Sequence, residues 1–346
     1  MALAKLQSRD PLEVLLARAR EDSVEFPVLL ANHLPMALVG LDRLGASGEQ
    51  MERFAEDYRA ANGLVATPRP LEALSPRTWT DVLGRREREA DARVFFAQRI
   101  ARHGTAAVLV EALPVLLPGI GASALHAFMR LAYGLLRQDA DEIGVALGYW
   151  TVTHLRLPAP STQDAPVTDD PAEVLARVAA LPGLTAVAPE SDLLWHNVLA
   201  VASAPSFRPV AGWLRIDDMT PARMAATSLA LFAGTMDFAA LHALTGSHWL
   251  RLVLPHCADP AGLIRAFWQV IAALVPKIGC PALPDAVTLA RWRQAPCPDW
   301  SAIVAATIAS HDEHDVSLVF SAREEERHTG DRLYRVVAAR RVGLIE

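Results

Sequence analysis

TAAVLVEALPVLLPGIGASALHAFMRLAYGLLRQDADEIGVALGYWTVTH, Thr105–His154, decides the fold class. Its apolar residues recur at helical spacing, and short breaks divide it into Thr105–Leu117, Gly121–Leu136 and Asp139–His154. The first half, Thr105–Leu125, is the most apolar run of the chain, but Glu111, Pro114 and Pro118 interrupt it. A bilayer span needs about 20 uninterrupted apolar residues, so this run reads as buried core helix.

The same periodicity extends outward in both directions. Towards the N-terminus, REREADARVFFAQRIARHG forms an amphipathic pattern that ends at Gly104, and Pro27–Leu44 stops at Gly45. Asp10-Pro11 opens a first helix through LEVLLARAREDS, with proline at an early helical position. Towards the C-terminus, helices are expected over Pro171–Ala180, Ser191–Ala204, Pro221–Leu244, Pro260–Val275, Pro284–Arg293 and Trp300–Ser310, with a last one through Arg340. Turn-bounded alternation of the kind that marks strands is nearly absent. One stretch, LPAPSTQDAPVTDD at 157–170, is rich in Pro, Ser, Thr and Asp and reads as a surface loop. No fixed-period repeat argues for a solenoid. The expectation is an all-α fold, one large multi-helix domain spanning residues 1–346.

Composition bounds the function. Hydrophobic residues are 52% of the 346, enough for a large core, and charged residues are 21%. The net charge is −6, and Lys5 and Lys277 are the only lysines. Without a basic stripe to neutralise phosphates, nucleic acid is a poor partner. Cys257, Cys280 and Cys297 form no CxxC, which excludes a zinc knuckle or a disulfide framework and fits a cytoplasmic setting. The N-terminal residues show no apolar leader pattern, and no membrane segment is expected.

Chemistry is most readable in histidine. His33, His126, His242, His248 and His314 lie inside apolar or small-residue segments. A buried neutral imidazole has one donor and one acceptor nitrogen to satisfy, so several in one chain suggest a shared metal ion. Core histidines bonded only to backbone are the alternative. His311 and His314 are three apart, so on one helix they would share a face, with Asp312, Glu313 or Asp315 as supporting carboxylates. His242 and His248 would lie about 120° apart on an unbroken helix. Both can face one site only if Gly246 ends or bends it.

Other motifs are negative. GIGASA at 119–124 follows no strand and reads as a helix break and restart, so no nicotinamide or flavin motif is supported. No GxSxG is present. Tyr149, Trp150, Trp195, Trp213 and Trp249 could line an aromatic pocket or simply fill the core.

Four segments together resemble the questin oxidase family. They are ANHLPMALVGLDRLGA (Asn32, His33, Leu44, Gly45, Ala46), ALHAFMRLAYGLL (His126, Arg130, Tyr133), LHALTGSHWLR (His242, Thr245, His248) and HDEHDVSLV (Asp312, Glu313, His314). In their order they span roughly residues 30 to 320. The resemblance implies an oxidoreductase: a metal-dependent oxygenase acting with O2 on a polyketide-type aromatic or quinone, by Baeyer–Villiger-like or ring-cleaving oxidation. It implies non-haem iron with His33, His126, His242 and His314 as candidate ligands, and His248 and His311 in reserve or as supporting partners. Arg130 would then meet a substrate anion and Tyr133 would donate a hydrogen bond to substrate, while a structural ion pair and packing are the plainer roles. In at least one branch of the family a carboxylated lysine follows the last histidine by about a turn. Here that position is Ser317. Asp315 or His311 would have to take its place, and a metal-free binding protein of the same fold, or a zinc-type hydrolase, stands as the alternative. Homodimerisation is left open.

Overall fold

The structure, a computed structural model, describes residues 10–159 and 166–346. Among these residues the chain is built from α-helices, with no strand beyond three isolated bridges. The N-terminal half comprises α1 (Pro11–Ala19), α2 (Leu34–Leu44), α3 (Gly48–Asn62), α4 (Glu89–His103), α5 (Thr105–Leu116), α6 (His126–Arg137) and α7 (Ala140–Val152). Then follow α8 (Pro171–Ala179), α9 (Leu194–Ser203), α10 (Val210–Trp213), α11 (Thr220–Thr235), α12 (Phe238–Val253) and α13 (Pro260–Leu274). The chain closes with α14 (Ala286–Gln294), α15 (Trp300–Ile308), α16 (Glu313–Thr329) and α17 (Leu333–Arg341). No helix among them is long and apolar enough to cross a membrane.

The expected all-α class is what forms, and side-chain caps set most of the starts. Asp10, Asp139, Asp170, Asp237, Asp259, Asp285, Asp299 and Asp312 each accept first-turn N–H groups of the helix that follows. Ser47 and Gln50 form a reciprocal capping box at α3.

Three expected boundaries shift for local reasons. The helix expected from Pro27 begins only at Leu34, because Phe26 N–H bonds Leu30 C=O in a turn with Leu29 left-handed, and Asn32 Oδ1 accepts the Leu34 N–H. The run Pro221–Leu244 is two helices, since Met236 adopts a left-handed conformation and Asp237 starts α12. The last expected helix divides into α16 and α17 at Gly330, whose φ of 74° suits a residue without Cβ. Of the loop expected at 157–170, residues 160–165 lie outside the described residues, and the flanks carry no helix before α8.

The quoted segment forms the middle of the core. Helix α7 packs between α4 and α6, and α6 packs in turn on α2 and α12. Tyr149 and Trp150 on α7 are fully buried, and the Trp150 indole N–H donates to Gly119 C=O at 3.1 Å. Helix α16 closes the group by packing on both α2 and α12. Thus α2, α6, α12 and α16 pack each on the next in a closed ring, and their N-terminal ends meet.

Candidate metal centre

That meeting of helix ends brings four histidines together. His33 is the residue before α2, His126 is the first residue of α6, His314 the second of α16, and His242 sits in the second turn of α12. Ring centroids lie 4.4 Å apart for His33–His126, 4.9 Å for His33–His314, 5.4 Å for His126–His242 and 6.4 Å for His242–His314. The four imidazoles therefore close a loop around a common point. Nitrogens of His33, His126 and His314 lie within 4.8 Å of one another.

Each ring is pinned through the same nitrogen. Nδ1 of His33 is 2.8 Å from Ala31 C=O, and Nδ1 of His242 is 2.9 Å from Phe238 C=O. Nδ1 of His126 meets Ser123 C=O, and Nδ1 of His314 is 3.0 Å from the Asp312 carboxylate. Carbonyl and carboxylate oxygens only accept, so Nδ1 carries the proton in every ring. Nε2 is left as the lone pair, the arrangement that supports metal-ligating histidine. For His33 that Nε2 is buried with no protein partner among the described residues.

The turn preceding His126 is strained. Ser123, Ala124 and Leu125 take φ values of 45°, 55° and 70°, three consecutive L-residues in left-handed backbone. Such conformations cost on the order of 1–3 kcal/mol each and persist where the surroundings impose them. Here the Ser123 hydroxyl binds the buried Glu25 carboxylate, while its carbonyl accepts from His126. The expected helix break at GIGASA is this turn, and it aims the first imidazole of α6.

Electrostatics favour the neutral form of three of the rings. Burial, reinforced by neighbouring imidazoles, pushes His33 and His126 well below the usual histidine range, and burial takes His242 down to about 4. Four helix N-termini at one point work in the same direction, since each carries partial positive charge. Burial favours the protonated form of the Asp312 carboxyl, but hydrogen bonds from His314 and the Arg341 guanidinium outweigh it and hold it at about 2. Burial pushes the neighbouring Glu313 carboxyl upward. After Asp312, Glu313 is the next carboxylate to the rings, 3.9 Å from His33 Nδ1 and 3.7 Å from His314 Nδ1.

Tested against these residues, a metal ion fits. Three to four neutral nitrogens, each oriented by a second hydrogen bond, are a donor set for a divalent transition metal, with Glu313 as an oxygen donor beside them. The rings open onto a cavity of about 330 Å³. Buried Phe26 and Trp195 line it, as do Leu30, Phe238, Lys277 and Glu313. Phe238 lies edge-on to both His242 and His314, at 5.0 and 4.9 Å, and still exposes half its surface at the mouth. Larger hollows elsewhere, such as the 750 Å³ groove between α3 and α15, bring no such set together.

The other candidate residues sit elsewhere. Helix α12 runs unbroken through Gly246, where a Cβ would come within 2.9 Å of the Phe267 ring, so the glycine serves close packing and bends nothing. His248 accordingly points away from His242. Its Nδ1 is 2.8 Å from Glu325, which also takes the Arg251 guanidinium at 2.7 Å. His311 precedes α16 because Asp312 caps that helix, and it is exposed, 3.2 Å from Asp57. Asp315 is turned to Arg341 at 2.6 Å.

Arg130 is buried in an ion pair with Glu142 at 2.9 Å, which Arg20 joins from α1's C-terminus. Tyr133 is buried further along α6, its ring 5.7 Å from Phe320. Its hydroxyl sits beside Ser317, Ser321 and Trp249, so Ser317 belongs to that neighbourhood. Of the aromatics considered, Trp195 reaches the cavity, while Tyr149, Trp150 and Trp249 are core. Phe26, Phe238 and Lys277 are among the cavity residues that sequence reasoning missed. Phe238 carries a signal, since it lies one turn before His242; Lys277 carries none beyond the rarity of lysine in this chain.

Compared with known proteins, residues 30–321 match the family model described as Questin oxidase-like. A search of curated proteins gave no match.

Proposed function

The chain belongs to the questin oxidase-like family, one of oxidoreductases acting on polyketide-type substrates, and on that premise we propose that it is an iron-dependent oxygenase of an aromatic or quinone-like substrate. His33, His126, His242 and His314 would hold the iron, with Glu313 as the carboxylate beside it. The observation that carries this reading is four rings grouped around one point, each pinned through its Nδ1. When bound, iron supplies a Lewis acid for a substrate oxygen and a site at which O2 reacts.

The protein's own part is positional and electrostatic. Ala31, Ser123 and Phe238 hold three rings through backbone carbonyls that cannot drift independently of the fold. Asp312 holds the fourth. Phe26, Trp195 and Phe238 make walls that exclude water and accept a flat ring, and an apolar cavity of this size takes a substrate of a few fused rings. Glu313, whose carboxyl burial biases towards the neutral form, stands where it can hold a proton against a substrate oxygen.

The deciding experiment is elemental analysis of purified wild type beside a His33→Ala/His242→Ala double variant, with circular dichroism to check the fold and oxygen-electrode measurements on hydroxylated quinones. Near-stoichiometric iron lost in a folded variant, with quinone-dependent O2 uptake, is expected. Zinc without O2 uptake would turn the reading to a hydrolase. Protein that takes up no metal after anaerobic iron loading would overturn it in favour of a metal-free binding protein.

A further inference from the structure

The four rings are pinned in two different ways. His242 takes its acceptor from Phe238, one turn back on α12, and His314 takes its acceptor from Asp312, the residue that caps α16. Those acceptors belong to the helices that carry the rings, so ordinary helix geometry places them. His33 and His126 stand at the starts of α2 and α6, and their acceptors are Ala31 and Ser123, in backbone that is not helical. Such backbone keeps one conformation only where something outside it fixes it. These two rings are also the closest pair of the four, at 4.4 Å.

Glu25 stands behind both. Its backbone faces Ala31 across an antiparallel bridge, closed on one side by Phe26 N–H to Leu30 C=O at 2.8 Å and on the other by Asn32 N–H to Val24 C=O at 2.9 Å. Its buried side chain reaches the second acceptor residue: Oε1 accepts the Ser123 hydroxyl, and Oε2 takes the Arg86 guanidinium at 2.7 Å from the partly exposed side. One residue thus fixes the segment that holds His33 and the side chain of the residue that holds His126. An ionised acceptor suits the task, since its hydrogen bonds are roughly twice as strong as neutral ones. The turn it secures is the one with three consecutive left-handed residues. Both its oxygens are engaged, so it serves the centre through those two residues and not as a ligand.

We propose that Glu25 is a positioning residue for the metal centre, tying His33 and His126 into a single unit through Ala31 and Ser123, with Arg86 locking the carboxylate from outside. This role rests on the metal-centre reading above and deepens it. Glu25 acts on ligand geometry, and so on metal affinity, before any chemistry.

The test ion is Co²⁺, titrated into the metal-stripped full chain against a chromophoric chelator, with the visible d–d spectrum recorded alongside. Ser123→Ala removes only the hydroxyl that Glu25 holds. Glu25→Ala removes the tie itself, and Glu25→Gln returns an acceptor oxygen without the charge. Glu142→Gln, which takes a buried carboxylate charge from another part of the core, controls for lost stability. Loss of a group that orients a ligand costs roughly 10- to 100-fold in metal affinity, so about tenfold weaker binding is expected for Ser123→Ala and Glu25→Ala. Their d–d bands should shift, and Glu25→Gln should recover part of the affinity. Glu142→Gln should lose stability with affinity and spectrum unchanged. Wild-type affinity and spectrum in both Ser123→Ala and Glu25→Ala would reduce Glu25 to a structural ion pair and overturn the role while the metal centre stands. Should Glu25→Ala not fold, Ser123→Ala decides alone. Wild-type protein that takes up no Co²⁺ overturns the metal-centre reading, and the role of Glu25 falls with it.

Discussion

The Asp312 carboxylate holds His314 twice: Oδ1 accepts the His314 backbone N–H at 2.8 Å and its ring Nδ1 at 3.0 Å. One side chain thus starts α16 and orients the imidazole that α16 brings to the centre, while Arg341 fixes the carboxylate from the far side. Asp312→Asn keeps a capping oxygen but weakens the charge behind the ring. Metal affinity is expected to fall by about tenfold with helix content unchanged, read by competition against a chromophoric chelator and by circular dichroism. Unchanged affinity would show that His314 is oriented by packing alone.

Removing His126 and removing His248 should differ in kind. His126→Ala takes a donor from the metal set and removes one hydrogen bond to the turn before α6, so bound metal should drop sharply while thermal stability changes by about 1 kcal/mol or less. His248→Ala leaves the buried Glu325 without a partner on one side, so stability should fall by about 1–3 kcal/mol while metal content holds. Metal content and denaturant midpoints of the two variants check the contrast. A His248 variant that loses metal would bring that residue back into the ligand set.

How far all this could be read beforehand depends on whether the information is local. Helix existence was legible because it rests on periodicity within ten to twenty residues, as in Thr105–His154. Boundaries were less so where one side chain or one left-handed residue decides them. Asn32 delays α2, Met236 divides α11 from α12, and Asp312 excludes His311 from the helix that carries His314. The positions of His33, His126, His242 and His314 could be named in advance, but not that they converge, because convergence depends on how α2, α6, α12 and α16 pack. Lys277 shows the limit. It follows α13 on a turn, no motif surrounds it, and only the tertiary arrangement brings it to the cavity.

Arg130 is expected to act on stability, not on catalysis. Its guanidinium is 2.9 Å from Glu142 in the core, and truncation would leave a buried carboxylate with Arg20 as its remaining partner. Loss of one partner of a buried pair typically costs about 3–5 kcal/mol. Arg130→Ala should therefore lower the urea midpoint strongly, with the folded fraction keeping its metal and its affinity for aromatic probes. A well-folded variant with selectively lost probe binding would instead place Arg130 in substrate recognition.

The same pair sets an acid limit. Burial favours a neutral Glu142, yet the Arg130 and Arg20 guanidinium groups outweigh it and hold its carboxyl below the ordinary glutamate value of 4.5. A carboxyl depressed in the folded state binds fewer protons than in the unfolded chain, so its contribution is complete above the unfolded value. It is lost as pH falls from about 4.5 through the lower folded value. Glu142→Gln should lower stability at neutral pH and flatten that part of the acid-unfolding curve, as chemical denaturation from pH 7 to pH 3 would measure. An unaltered acid slope would assign the limit to other carboxylates.

Tyr133 offers the sharpest separation of packing from chemistry. It lies seven residues beyond His126, about 10 Å along α6, so its hydroxyl is remote from the four rings. The hydroxyl is buried beside Ser317, Ser321 and Trp249, with no direct protein hydrogen bond of good geometry among the described residues. Burial pushes it well above the ordinary tyrosine range, so it stays protonated. A buried hydroxyl that makes no hydrogen bond gains nothing from its polarity and still bears the cost of desolvation. Tyr133→Phe removes that cost while keeping the ring that packs on Phe320 at 5.7 Å. Stability should therefore stay level or rise by up to about 1 kcal/mol, with metal content and probe affinity unchanged. A loss of more than about 2 kcal/mol would show that the hydroxyl is hydrogen-bonded after all. Lost O2 uptake in a stable, metal-replete variant would return Tyr133 to the reaction itself.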